Sequence, residues 1–370
     1  GLTPGTTYYY VVTAVDEASH ESGDSDEANA TPNWYDPAWQ YRMKITIDHT
    51  KVEANLTNFP VLIHIDSSET AFWNHATKEN EIVLTESDGM TQLKREVEKF
   101  DHTNDNLFVW VKIDSLSSST DTEIYLYYGN GSASETNDTD AWDSNFKMVQ
   151  HLQENSGTHY DSTANNNDGT PEGGIQQDAT GKIDGADDFD GVNEHIILGN
   201  DESLNITDTI TLEAWINVDV PLGNNDWYEI LAKGAAAYDI YLGGTAADEA
   251  TLCAYFWIEG KEIDVWGAGG IDIDPGSDAY VVATFDGTDI KAYVNGQLDY
   301  THNAPGSIDD SANDDFMIAA YELPEDLGFN GIIDEVRVSD TARTVDWILT
   351  CYNNQGNPST FYSMGAEESR

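Results

Sequence analysis

The sequence predicts an all-β chain of antiparallel β-sandwiches with a single short helix near the C-terminus. Runs in which apolar residues alternate with polar ones, or bunch as β-branched and aromatic side chains, recur throughout; "YRMKITIDH", "LFVWVKI" and "ITLEAWINV" are examples. Turn pairs such as Asp88-Gly89, Asp286-Gly287 and Asn295-Gly296 separate such runs. A helical period occurs only in "TARTVDWILTCYNNQ", where Val345, Ile348, Leu349 and Tyr352 share a face, and this helix is expected across one end of a sandwich.

At 370 residues the chain exceeds one ordinary domain, so at least two modules are expected. Asp plus Glu number 68 against 16 Lys plus Arg, a formal net charge of −52. Such a field repels phosphate backbones and anionic lipid, which excludes nucleic acid as an expected partner. The 10 Trp, 19 Tyr and 11 Phe argue against an acidic disordered chain and place the charge on a folded surface, suited to saline or calcium-rich surroundings or simply to solubility. No apolar run approaches the roughly 18 residues that cross a bilayer, and no basic-then-apolar signal opens the chain. A start at Gly1 suggests a piece of a longer secreted precursor, hence an extracellular or cell-surface location. Cys253 and Cys351 have no metal-type spacing and are either one long-range disulfide or two buried thiols. Five sequons, at Asn29, Asn55, Asn130, Asn137 and Asn205, permit N-glycosylation.

Residues 1–33 contain a Pro-Gly turn followed by Tyr8, Tyr10, Val12 and Ala14 at alternating positions, then an acidic Ser/Gly loop and a second short strand. The stretch "GLTPGTTYYYVVTAVD" resembles the end of a fibronectin type III domain, of which only the last two strands are represented. Two strands cannot bury a sandwich core and leave open edges, so either a domain is cut or a neighbouring copy supplies the missing strands.

Residues 34–143 read as successive short strands: "YRMKITIDH", "FPVLIHID", two strands around the Asp88-Gly89 turn, "LFVWVKI" and "TEIYLYYGN". Trp39-Gln40-Tyr41-Arg42, Phe59-Pro60-Val61-Leu62, Glu96-Val97-Glu98 and Tyr127-Tyr128-Gly129-Asn130 resemble domain of unknown function 2341. That resemblance implies a β-sandwich in large surface and secreted proteins of archaea and bacteria.

Residues 144–370 contain "GKIDGADDFDGVNEHIILGN", "ITLEAWINV", "YVVATFDGTDIKAYVNGQL" and "FNGIIDEVRVSDTAR" in that order. Together they resemble the laminin-G-like, concanavalin A-like lectin family and imply a jelly roll. Within "ITLEAWINV", Thr211, Glu213, Trp215 and Asn217 alternate with Leu212, Ala214, Ile216 and Val218, as expected of a strand with one core face.

The chemistry is most suggestive at "KEIDVWG", Lys261 to Gly267, expected on a central strand of this jelly roll. Alternation puts Glu262, Asp264 and Trp266 on one face and Ile263 and Val265 on the other. Glu262-Ile263-Asp264 resembles the start of the catalytic strand of laminarinase- and lichenase-type glycosidases, in which a further glutamate on the strand is the acid/base. Retaining hydrolysis needs two carboxylates about 5 to 5.5 Å apart. Trp266 and Gly267 occupy the proton donor's place, so no enzymatic activity is expected from this motif. The same face, with Tyr255 and Trp257 on the preceding strand, offers a stacking platform for sugar rings. The lectin resemblance also implies a structural calcium, with Asp161, Asp168, Asp188, Asp190 and Asp334 as candidate ligands. Three classes of function follow: adhesion or glycan binding without catalysis; self-assembly of neighbouring copies into a filament or surface layer; or a fragment of a carbohydrate-active enzyme. The first is preferred.

Overall fold

In the strand Tyr41–Ile47, Met43, Ile45 and Ile47 are buried while the residues between them are partly exposed, the period of a sheet with one core face. This strand lies in a sheet ordered Tyr362–Met364, Tyr41–Ile47, Thr122–Tyr128 and Val83–Glu86, with Glu368–Ser369 also on Tyr41–Ile47. A second sheet of Leu56–Ile65, Asn106–Leu116 and Arg95–Asp101 packs against it. The computed structural model describes residues 8–30, 33–223, 226–234, 237–244, 250–266, 270–321 and 328–370. Over these the chain is all-β, with antiparallel sheets and two helices, Thr70–His75 and Val345–Gly356.

The Asp88-Gly89 turn lies between two strands as expected, but those strands, Val83–Glu86 and Arg95–Asp101, belong to different sheets. After a single bridge from Thr85 to Gln92 the chain crosses over, Lys94 accepts the Lys112 N–H, and Arg95–Asp101 joins the other sheet. At the N-terminus, Tyr8–Tyr10 pairs with Ala28–Ala30 as a hairpin of three-residue strands, and Tyr9, Tyr10, Val11, Val12 and Val15 are exposed. The remainder of the expected fibronectin-like strand, residues 1–7, lies outside the described residues.

The second sandwich has a seven-stranded sheet ordered Thr170–Glu172, His195–Gly199, Phe316–Ile318, Trp227–Lys233, Tyr238–Gly244, Ala250–Ile258 and Lys261–Val265. Facing it are Gln176–Thr180, Gly185–Asp190, Asn330–Ser339, Ile210–Val218, Ala279–Phe285, Asp289–Val294 and Gln297–Asn303, with Phe146–Gln150 paired to Asn330–Ser339. Asn295 and Gly296 both take positive φ, the two-residue hairpin their sequence implies.

The strand Ile210–Val218 corrects the one-core-face expectation. Leu212, Ala214, Ile216 and Val218 enter the lectin-like core, but Thr211, Glu213 and Trp215 are buried too. Trp215, Tyr280, Val282 and Tyr293, on the outer face of this sheet, share a second core with Phe59, Val61 and Trp110 of the first module. The helix Val345–Gly356 contributes Trp347, Ile348 and Cys351 to that shared core, so it lies between the modules rather than over one end. Its buried face therefore differs from the expected one: Val345 is exposed, whereas Asn354 and Gln355 are buried.

These amides have partners. Asn354 accepts the Leu62 N–H at 2.7 Å and donates to the Leu62 carbonyl at 3.0 Å, pairing with an edge strand as another strand would. Gln355 accepts the Trp215 indole N–H at 2.7 Å. With Tyr362–Met364 and Glu368–Ser369 in the first module's sheet, residues 345–370 are tied to the module that an expected boundary at 143/144 would separate from them. Cys253 and Cys351 are both buried and not joined by a disulfide.

The modules also meet through a buried ionic cluster. His151 Nδ1 lies 2.6 Å from Glu335 and 3.4 Å from Glu98, and its Nε2 lies 3.5 Å from Glu96. Arg337 pairs with Glu335 and stacks on Trp110 and Trp142, 4.5 and 4.9 Å from the ring centres. Those indoles donate to Glu98 and Glu96, each at 2.6 Å. Burial alone would lower the His151 pKa, but the Glu335 and Glu98 charges, with the Glu335 and Glu96 hydrogen bonds, hold it well above the ordinary imidazole value. Burial and the Glu335 charge outweigh His151 at Glu98 and push that carboxyl up toward its neutral form. Two cations thus face the carboxylates of Glu96 and Glu335, both held low by His151 against the cost of burial.

Breaking such a cluster leaves uncompensated buried charge, so His151→Gln is expected to lower unfolding stability by about 3 kcal/mol. Because the folded His151 pKa is raised, its contribution is complete below the ordinary imidazole value and declines as pH rises through the folded value. Denaturant unfolding across an alkaline series checks this: that part of the parent's decline should vanish in the variant.

Candidate functional site

With the outer face of one sheet buried, the outer face of the seven-stranded sheet remains open. Its strands carry their outward side chains in register: Asp239 opposite Tyr255, Tyr255 opposite Asp264, Glu229 opposite Tyr241, and Trp227 opposite Gly243. These residues, with Glu262, Trp266 and Tyr321, surround a cavity of about 330 Å³. The sheet is flat enough at Gly243 for Trp266 to lie against it. A Cβ there would be 2.8 Å from the Cys253 sulfur and 3.3 Å from two atoms of the indole.

Trp227 and Trp266 are each 39% exposed and stand edge to face, with ring centres 6.4 Å apart and an interplanar angle of 82°. The Tyr241 ring is 5.6 Å from Trp266, and its hydroxyl donates to Asp264 at 2.5 Å. The two carboxyls on interior strands are in a different situation. Glu229 is 3% exposed and Asp239 5%, and Glu229 Oε1 and Asp239 Oδ1 have no hydrogen-bond partner. Burial, then the Asp239 charge, pushes Glu229 well above the ordinary carboxylate range; burial, then the Asp264 charge, does the same to Asp239. No Lys, Arg or His is among the described residues that line the cavity.

The strand Lys261–Val265 is the sheet's edge, not a central strand, paired only with Ala250–Ile258. Alternation along it is as expected: Val265 is in the core, Ile263 packs against it, and Glu262, Asp264 and Trp266 face outward. Of the expected platform, Tyr255, Glu262, Asp264 and Trp266 line the cavity. Trp257 stands beside it, its indole N–H donating to the Tyr255 hydroxyl at 2.5 Å. Gly267 lies outside the described residues. Sequence reading missed Trp227, Glu229, Asp239, Tyr241 and Tyr321. The signal available was an acid within each of the apolar runs "WYEILAK" and "YDIYLGG", a charge where a buried strand offers none a partner.

Among the described residues, no three of the five candidate calcium ligands are brought together into one group. Asp161 accepts from the backbone N–H groups of Val149, Thr163 and Asn167 and from the Thr163 hydroxyl, which uses its carboxylate to brace a loop; Asp168 accepts the Asp161 N–H. Asp334 Oδ2 takes the Lys182 and Ile183 N–H groups. Asp188 and Asp190 lie near one another, and Asp188 is pushed up by burial and by the Asp219 and Asp190 charges. Among the sequons, Asn130 is buried, the Asn137 and Asn205 amide nitrogens donate to Val97 and Asp310, and the Asn29 side chain lies outside the described residues. Asn55 is exposed and uses its oxygen to accept from Ser118.

Residues 190–349 match the family model of the concanavalin A-like lectin/glucanases superfamily, and residues 78–168 match a domain of unknown function, DUF2341. No curated protein matches the chain. Among solved structures, the chain is similar to domain 4 of AbnA, a GH43 extracellular arabinanase from Geobacillus stearothermophilus, in complex with arabinotriose; identity is 20% over 55% of this chain and 96% of that one, with a TM-score of 0.42. It is also similar to the binding domain of Paraclostridial Mosquitocidal Protein 1, at 17% identity over 58% of this chain and 53% of that one, TM-score 0.46. A third likeness is to the receptor binding domain of a botulinum neurotoxin C/D mosaic serotype, at 13% identity over 57% and 51%, TM-score 0.44. The chain spans about half the length of these two toxin domains.

Asp239 makes the site measurable through stability. Because its folded pKa is raised, the folded state holds a proton that the unfolded state gives up, and stability falls as pH climbs above the ordinary carboxylate range toward the folded value. Asp239→Asn removes that penalty and is expected to be more stable than the parent by about 1 to 3 kcal/mol near neutral pH, with the gap closing toward about pH 4. Thermal melting of the two proteins across that range checks it.

Proposed function

We propose that this chain is a non-catalytic extracellular surface protein that binds glycans in the cleft of its lectin-like sandwich. The observation that carries the reading is the exposed Trp227 and Trp266 pair standing over a polar, carboxylate-rich hollow. Indole faces pack on the apolar faces of sugar rings, and carboxylate oxygens accept from sugar hydroxyls, so the two kinds of group divide shape and orientation between them. A cavity of this volume is at the lower end for a small-molecule site and suits one or two sugar rings rather than a long buried chain. In this reading the other module and the N-terminal hairpin hold the lectin-like domain away from the surface that bears it. Calcium stays in this reading as a structural cation, which a chain of net charge −52 would attract.

A glycan array followed by calorimetry, in calcium and in chelator, tests the proposal. Trp266→Ala and Trp227→Ala are each expected to weaken binding by about tenfold or more without unfolding the protein. Failure of every glycan to bind removes the reading. Release of reducing ends from a bound glycan, lost in Glu262→Gln, replaces it with a hydrolytic one.

A second reading has its own observation. The hairpin Tyr8–Tyr10 with Ala28–Ala30 exposes Tyr9, Val11, Val12 and Val15, as a piece of a fibronectin-like sandwich awaiting further strands would. Strands from a neighbouring copy would cover it and, where the contact does not close, propagate a filament. Electron microscopy and light scattering in native salt are expected to show assemblies; a strictly monomeric chain removes this reading.

A further inference from the structure

We propose that the cleft selects glycans bearing free amines, with a hexosamine ammonium seated between Glu229, Asp239 and Asp264 while sugar rings lie against Trp227 and Trp266. The inference rests on the glycan-binding reading and names the class of sugar.

Four carboxyl groups, Glu229, Asp239, Glu262 and Asp264, line one small cavity. Two of them are more than nine-tenths buried, and each has an oxygen without a hydrogen-bond donor. Several buried acids elsewhere in this chain are answered by charged or donor groups: Glu335 by His151 and Arg337, Glu96 by Trp142 and Ser162, and Asp161 by three backbone N–H groups. In the cleft no Lys, Arg or His among the described lining residues gives that answer, and a ligand's cation can supply it.

Sugar hydroxyls could donate to these oxygens but would leave in place the cost of ionising Glu229 beside Asp239. An ammonium brings three donors and the opposing charge in one group, the pairing that a buried carboxylate requires. The walls fit the same chemistry, because Tyr241, Tyr255, Tyr321 and Trp266 surround the acids with aromatic rings, whose faces attract cations. At longer range, the net charge of −52 repels uronic or sulfated sugars and draws amines in.

The test is calorimetric titration of the full chain, in salt sufficient to screen its outer surface. The probes are a β-1,4-linked glucosamine oligomer, its fully N-acetylated counterpart of equal length, a neutral glucan oligomer, and spermidine. The glucosamine oligomer is expected to bind about tenfold or more tighter than the acetylated one, and the preference to collapse in Glu229→Gln/Asp239→Asn. A melting curve shows that the double variant is folded. Equal affinity for the two oligomers, or a preference that survives in the double variant, overturns the inference while leaving glycan binding standing. Spermidine binding as tightly as the glucosamine oligomer overturns the sugar part of it. Failure of all three oligomers to bind overturns this inference, and the reading beneath it falls as well only where the glycan array is also blank.

Discussion

The structure depends on burying the outer face of the eight-stranded sheet. A sandwich of this kind is complete with one core between its sheets, yet here Trp215, Tyr280 and Val282 on the far side are as buried as the residues between the sheets. Their cover comes from the helix Val345–Gly356 and from the first module, and the charges enclosed there are matched at close range by His151, Arg337 and three glutamates. A buried cluster of this sort contributes little net stability compared with apolar packing, yet removing one member leaves a buried charge unpaired. The shared apolar core provides the driving force for docking, and the cluster penalises arrangements that separate its members.

That docking decides where a ligand can go. Once one sheet's outer face is committed to the interface, the outer face of the other stays available, and it holds two buried acids, Glu229 and Asp239, that no Lys, Arg or His among the described lining residues answers. Glu229 and Asp239 on adjacent interior strands cost stability in the absence of a partner, whereas Asp143 at the other interface meets Arg343 in a two-point pair at 2.9 Å. The contrast separates acids paired within the fold from acids that, in the proposed reading, a ligand would pair.

Much of this was legible in the residues. Alternation and turn chemistry gave the all-β architecture, and the order of Glu262, Asp264 and Trp266 on one face follows from a period of two. What the period could not give is which of two faces is solvent. Thr211, Glu213 and Trp215 read as an outward face because nothing local distinguishes water from a second module. The helix misled for the same reason, since Asn354 looks like a surface residue until the edge strand it pairs with is in place. Tyr255, Asp264 and Trp266 were found through a motif, whereas Trp227, Glu229 and Asp239 come from strands whose neighbours are set by long-range pairing. The proposed metal set raises a different point: an Asp at a turn is as well used bracing its own loop's N–H groups as holding an ion, and Asp161 braces its loop.

The position of Lys261–Val265 at the sheet edge joins site and solubility. An edge strand offers unpaired backbone groups to any other chain, and charged side chains along it discourage such pairing. Here those charges are Lys261, Glu262 and Asp264, so two of the groups that blunt the edge also line the cleft. Replacing them to alter recognition would expose an aggregation-prone edge, which ties the acidity of the strand to two requirements at once. It also bears on assembly. A filament built through this edge would have to bury those carboxylates and cover Trp266, so self-association and ligand binding would compete for the same strand. The exposed N-terminal hairpin has no such conflict, and for that reason assembly through it and recognition in the cleft are compatible in one molecule.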